Sequence, residues 1–427
     1  MKNIYKHFSF LIISVLFSVI SFAQTYAPGI IITNEGGFMA GNASLSHLSE
    51  EGEITNDIFS TANPGESLGD TAQGMNFFGD YAYIVMHGSE TVKVVNRESF
   101  ELVTTIEGFS KPRHIAFSNG KGYVTNWADE YDPEDDFVAV VNLETYEIEA
   151  EIPVAEGPER IIEVDGKLYV TQQGGYGYGN AISVIDAETN EVTEIEVGDV
   201  PSDLLAKDGF LYVTCGGSPL WSGAETAGSL YKIDLSDNSI VSQFDFESVE
   251  QHPNYLGENG DLLYFVMNNG IYTINFDDET PSPTLLVETE VAQPYSFDVI
   301  DDKLYIGDAV DYVSNGIISV YALDGTLENT YTVGVLPNGF YKNEIEEMSV
   351  IDDSLAKLNL YPNPASNVFY VNSQEVSQVE IYDLSGKLVK STQNISNGIS
   401  VNELSNGIYI VKIQSGKNSI SKKLIIK

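Results

Sequence analysis

GKGYVTNW, Gly120 to Trp127, is the phrase around which the whole chain is organised. A Gly-led turn followed by aromatic and β-branched residues reads as a short β-strand. The phrase returns as DYAYIVMHG from Asp80, GKLYVTQQG from Gly166, GFLYVTCGG from Gly209, DLLYFVMNN from Asp261 and DKLYIGDA from Asp302. The aligned tyrosines, Tyr83, Tyr123, Tyr169, Tyr212, Tyr264 and Tyr305, are spaced by 40, 46, 43, 52 and 41 residues. A seventh copy, GIIITNEGG from Gly29, carries Ile31 in place of the tyrosine.

Each copy sits inside a longer unit. A Pro-led strand precedes it, as in KPRHIAF, GPERIIEV and VPSDLLAK; a loop and an alternating strand such as AISVIDAET follow it, and then a fourth strand such as EVTEIEVG. Four short strands repeated at about this period are the mark of a β-propeller blade. The first copy begins at its second strand, and the last segment, LPNGFYKN, reads as a lone first strand. The two ends therefore complete one blade between them. First strands then fall near Gly74, Arg113, Arg160, Asp203, Asn254, Tyr295 and Asn338, and the expectation is an all-β chain: a seven-bladed β-propeller over residues 24–343, followed by a small β-sandwich C-terminal domain. A closed ring leaves no long open strand edge.

The composition agrees with a turn-rich β protein and narrows its partners. The 427 residues include 37 Gly, and 63 acidic against 21 basic residues give a formal charge of −42. Without a Lys/Arg stripe, binding to a nucleic-acid backbone has no electrostatic support. The opening MKNIYKHFSFLIISVLFSVISFAQ has Lys2 and Lys6, an apolar run from Phe8 to Phe22 and a small-x-small site at Ser21–Ala23. It reads as a secretory signal peptide, residues 1–23. Cys215 is the only cysteine, so no intrachain disulfide forms and stability rests on a large core. At the end of a strand, Cys215 reads as a small buried residue.

The string Tyr123-Val124-Thr125-Asn126, with LYVT from Leu168 and Leu211 and SVID from Ser183, resembles the YVTN-repeat propellers. The segment IIITNEGGFMAGNASLSHLSEEG resembles the opening of surface propellers of an uncharacterised-domain type. Some members of that group bind cobalamin beside TonB-dependent transporters of the outer membrane, which makes such a transporter an implied partner. Those relatives are commonly lipoproteins, whereas this chain has no Cys at its cleavage site. LNLYPNPASNVFYV (Leu358 to Val371), VEIYDLSGKLVKS (Val379 to Ser391), LSNGIYIVKIQSG (Leu404 to Gly416) and KKLIIK resemble the C-terminal sorting domain of type IX secretion, over residues 355–427. Residues 344–354 would be the linker. The resemblance implies Sec export, engagement of the type IX machinery and passage through the outer membrane. The product would then be released or held at the cell surface.

In a blade, the loop before strand one and the loop between strands two and three share a face, here called the upper face. The Pro-led starts place Arg113, His114, Glu159, Arg160, Asn254, Tyr255 and Tyr295 at the mouth of the central channel. The long 2–3 loops add Trp127, Tyr176 and Trp221. Aromatic side chains beside a few polar groups suit a flat or sugar-like ligand; the alternative is that these aromatics pack on neighbouring loops. The expected function is a secreted or cell-surface binding protein for a small molecule or glycan. An extracellular lyase or hydrolase on the same face, or a protein–protein adhesin or scaffold, are the alternatives. No Gly-x-Ser-x-Gly or His-Glu-x-x-His motif is present. DEYDPEDD, Asp129 to Asp136, supplies carboxylates of the kind calcium takes, without the EF-hand spacing and its Gly; a solvated acidic loop is the bland reading. His87, His114 and His252 are candidate metal ligands only if the fold brings them together.

Overall fold

A computed structural model describes residues 25–344 and 359–427, apart from 130, 131, 133, 176–178, 373–375, 384–386, 393–397, 416 and 417. The signal peptide, most of the linker, Tyr131 and Tyr176 lie outside the described residues. The chain divides into two compact units, Met1–Glu344 and Ile345–Lys427. No helix among the described residues is long and apolar enough to cross a membrane.

The first unit contains seven four-stranded antiparallel sheets. Numbered as blades by their first strands, they begin at Ala72–Phe78, Pro112–Ser118, Pro158–Val164, Pro201–Lys207, Pro253–Asn259, Pro294–Ile300 and Pro337–Asn343. Blades one to six are continuous in sequence. Blade seven pairs Pro337–Asn343 with Gly29–Asn34, which continues into Ser44–Leu48 and Ile54–Thr55. Each first strand packs beside the next, and Pro337–Asn343 lies beside Ala72–Phe78, so the ring closes. Asn343 clasps the closure: its amide donates to the Tyr26 and Arg97 carbonyls at 3.0 and 2.7 Å.

The repeated phrase is the second strand of each blade, and its chemistry explains why. Tyr83, Tyr123, Tyr169, Tyr212, Tyr264 and Tyr305 are all buried, as is Ile31. They fill the layers between successive sheets. The hydroxyls do further work between blades. Tyr123 donates to the Ala187 carbonyl in the last turn of the next blade at 3.1 Å, and Tyr169 donates to Asn238 at 3.2 Å. A buried phenol needs such a partner. Cys215 is fully buried beside Gly198, and burial pushes its thiol up to about 12.

At the top of every first strand the pairing slips. Register shifts fall between Ala72 and Gly74, Pro112 and Ile115, Pro158 and Ile161, Pro201 and Asp203, Asn254 and Gly257, and Pro294 and Ser296; in blade seven Asn338 is skipped opposite Thr33/Asn34. Such β-bulges re-aim side chains. The threonine of the Tyr-Val-Thr phrase ties several of them down. Thr125 Oγ1 accepts from the His114 amide at 3.0 Å and donates to the Glu159 carbonyl at 2.9 Å, and Thr171 Oγ1 accepts from the Arg160 amide at 2.9 Å. The motif that builds the core thus also fixes the channel mouth.

The second unit has a three-stranded sheet (Leu360–Tyr361, Val368–Val371, Ile399–Ser400) and a four-stranded sheet (Leu388–Thr392, Gln378–Tyr382, Gly407–Ser415, Asn418–Ile426). Phe369 and Ile399 of the first sheet share one core with Val379, Ile381, Val411, Ile413 and Leu424 of the second. Alternating strands that bury one side against a facing sheet make a small sandwich.

Candidate functional site

The bulges deliver most of the expected residues to the channel mouth, in three separate groups. The first joins blades one to three. Arg113 grips Glu159 with two hydrogen bonds, Nε to Oε2 at 2.7 Å and Nη2 to Oε1 at 3.0 Å. His114 Nε2 meets Glu159 Oε1 at 3.3 Å, and Arg113 Nη1 lies 3.3 Å from His87 Nδ1. The guanidinium also stacks 3.9 Å from the centre of the Trp127 ring, which stands edge-on to His87. Burial alone would raise the Glu159 carboxyl, yet Arg113 and His114 hold it far below the usual range. Burial, with Arg160 adding to it, drives the His114 imidazole down to about 4, so it is neutral at pH 7. A carboxylate held this tightly is a poor base. The cluster therefore braces the mouth, and Trp127 covers it.

The second group joins blades six and seven. Tyr295 donates its hydroxyl to Glu35 Oε2 at 2.6 Å, and Asn338 donates to Glu35 Oε1 at 3.2 Å. Burial raises the Glu35 carboxyl. The Asn338 amide also reaches the Ala72 and Gln73 carbonyls, both at 2.9 Å, linking blade seven to blade one.

The third group is open. A cleft of about 200 Å³ runs between blades three, four and five, lined by Gln173, Gly175, Ser202, Trp221, His252 and Asn254 among others. His252 is oriented by the Gly216 carbonyl at 2.6 Å and faces Glu225 at 3.3 Å. Trp221 stands on a single helical turn, Leu220–Ser222, in the loop 216–228. Trp221, Leu220, Phe38, Met39 and Val313 are the most exposed large apolar side chains among the described residues, at 69 to 81%. All five sit on 2–3 loops, of blades four, six and seven, and therefore on the upper face. Sequence reading missed Phe38, Met39, Leu220 and Val313, whose only signal is an apolar residue inside a polar loop.

Below the mouth, Arg160 points into the channel itself. The channel is a cavity of about 290 Å³ lined by first strands of all seven blades. Tyr255, close enough to Arg160 to interact with its charge, has φ +57°, a left-handed conformation uncommon for an aromatic residue.

The metal candidates do not converge. The Arg113 guanidinium lies against His87 and repels a cation there; His114 faces Glu159, which Arg113 already holds, and His252 belongs to the cleft. Among the described residues no group of three or more His, Cys, Asp or Glu side chains is arranged to hold a metal ion. In the acidic loop, Asp135 accepts from the Asp129 amide and Asp132 from the Glu134 amide. Asp136 Oδ2 accepts from the Gly157 amide at 2.5 Å, while its Oδ1 and the Trp127 Nε1 are buried without partners among the described residues. Burial, with Asp135, Glu156 and Asp132 adding to it, pushes the Asp136 carboxyl up to about 7.

The opposite face holds a larger cavity, about 380 Å³, between blades six and seven. Its cations are already paired: Lys303 with Glu328 at 2.9 Å, and Lys342 with Asp301 and Glu344. It has no exposed aromatic side chain comparable to Trp221.

Comparison with known proteins gives a family and a fold. Residues 359–427 match a secretion system C-terminal sorting domain. That tail implies interaction with the type IX secretion machinery and delivery to the cell surface or the extracellular space. No curated protein matches the chain in sequence. Among solved structures, a hypothetical selenium-binding protein from Sulfolobus tokodaii is similar at 10% identity, over 73% of this chain and 93% of that one, with a TM-score of 0.54. BamB from Moraxella catarrhalis (13% identity, 81% and 91% covered, TM-score 0.47) and AztD from Citrobacter koseri (12%, 92% and 100%, 0.47) are also similar. At 10% identity the likeness to the first is one of fold alone. Residues 28–369 match the model of a domain of unknown function, DUF5074, and over that span the chain belongs to the DUF5074 family.

Proposed function

We propose that the protein is an exported binding propeller that captures a small molecule or glycan on its upper face, in the cleft between blades three and five. The observation that carries this reading is Trp221, 69% exposed at the edge of a cleft whose other walls present Gln173, Ser202, His252 and Asn254. An indole face beside hydrogen-bonding groups is the usual chemistry for a sugar ring or a flat heterocycle. The single turn Leu220–Ser222 that holds Trp221 keeps the ring largely exposed at the edge of the cleft.

The test is a glycan array and a small-molecule screen with the full chain, followed by calorimetric titration of each hit. Trp221→Ala and Asn254→Ala are expected to weaken a hit about tenfold or more, while leaving thermal unfolding unchanged. Hits that bind both variants like the parent protein would overturn the assignment. A screen that returns proteins but no small ligands would favour the scaffold reading, for which the apolar tips at Phe38–Met39 and Val313 are the relevant surface.

A further inference from the structure

The central channel holds charges that the upper-face reading does not use. Arg160 is held on a bulge and points into the cavity of about 290 Å³. Among the described residues its guanidinium makes no hydrogen bond; Asp203 Oδ1, at 3.9 Å, is too far for one. Arg160 is only 28% exposed and Asp203 15%, so both are largely withdrawn from bulk water yet open to the channel. Asp203 accepts from the Leu204 and Leu256 amides at 2.9 and 3.0 Å. Asp298, on the same wall, accepts among the described residues from the Val299 amide alone, at 2.7 Å. Much of the remaining lining is apolar, including Met75, Phe297 and Phe340, with Asn76, His114 and Asn338 among its polar members.

A buried guanidinium without a hydrogen-bonded partner is costly unless something completes its fork, and a carboxylate does so with two bonds. An anion alone would face Asp203 and Asp298. A cation alone would face Arg160. A molecule carrying both charges satisfies the whole set. The volume holds roughly ten water-sized groups at about 30 Å³ each, the low end of ligand pockets.

We propose that the channel is a second binding site, for a small zwitterion of the amino-acid type, with its carboxylate on Arg160 and its ammonium on Asp203 and Asp298. The site is separate from the Trp221 cleft and stands or falls without it.

Titration calorimetry of the full chain with the standard amino acids, propionate and ethylamine tests the assignment. At least one amino acid is expected to bind saturably at one site, and propionate and ethylamine to bind at least about tenfold more weakly, since each lost charge-assisted bond is worth that much. Arg160→Gln and Asp203→Asn are each expected to weaken the amino acid about tenfold or more, and Trp221→Ala to leave it unchanged. The absence of saturable binding by any amino acid would overturn the proposal. So would propionate binding as tightly as its amino acid, or an Arg160→Gln protein that binds normally. If Arg160→Gln fails to fold, the comparison of amino acid, propionate and ethylamine on the parent chain still decides.

Discussion

Trp127 and Trp221 occupy the same kind of position, a 2–3 loop on the upper face, and have opposite surroundings. Trp127 lies over the Arg113 guanidinium at 3.9 Å and against His87, with its Nε1 buried. Trp221 is 69% exposed beside a cleft. The first closes a brace of buried charges, and the second offers a ring to solvent. The same residue type in the same topological place is thus packed over a buried charge in one blade and exposed to solvent in another. The difference lies in what the neighbouring bulge presents: Arg113, gripped by Glu159, gives Trp127 a cation to cover.

The largest effect is expected where the brace is cut. Glu159→Ala leaves Arg113 and His114 facing a void and should cost about 3–5 kcal/mol of stability, read as a lower urea midpoint at unchanged slope. A loss under about 1 kcal/mol would mean the brace is no more than a surface pair. Next comes Asp136, beside Trp127. Its carboxyl is raised from 3.8 to about 7, so the stability it contributes is complete below pH 3.8 and is lost as pH rises through 7. Asp136→Asn should therefore gain on the parent by about 2–4 kcal/mol at pH 8 and show little difference at pH 3.5. Equal pH profiles would show that Asp136 is not held in its raised state. Trp127→Ala should cost about 2 kcal/mol, from lost packing and the cation–π contact. Trp221→Ala should change stability by no more than about 0.5 kcal/mol. If Trp221→Ala destabilises the protein as much as Trp127→Ala, the comparison fails.

The blades were legible because their signal is local and repeated. The Tyr-Val-Thr phrase recurs since each copy buries a tyrosine between sheets and ties down a bulge with its threonine, and both needs recur in the same register. The Pro-led starts pointed to Arg113, Glu159, Arg160, Tyr255 and Tyr295 for a related reason: a bulge at a fixed place in the blade aims side chains at the axis. What reading the sequence missed depends on ring closure. Glu35 meets Tyr295 and Asn338 from the far end of the chain, and Tyr341 and Asp298 reach the channel from strand positions that carry no motif. Nothing local separates Trp127 from Trp221, because burial of the first is decided by Arg113, on the adjacent strand, and by His87, on another blade. Tyr176 lies outside the described residues.

The proposed function ties binding to the upper face and to Trp221 in particular. The most direct measurement is a titration of one ligand from the glycan screen into four forms of the full chain: the parent, Trp221→Ala, Trp127→Phe and Lys303→Ala on the opposite face. Trp221→Ala alone is expected to weaken binding about tenfold or more, with all four forms unfolding at similar temperatures. Binding that survives Trp221→Ala and falls in Lys303→Ala would place the ligand in the cavity on the other face and contradict the proposed function.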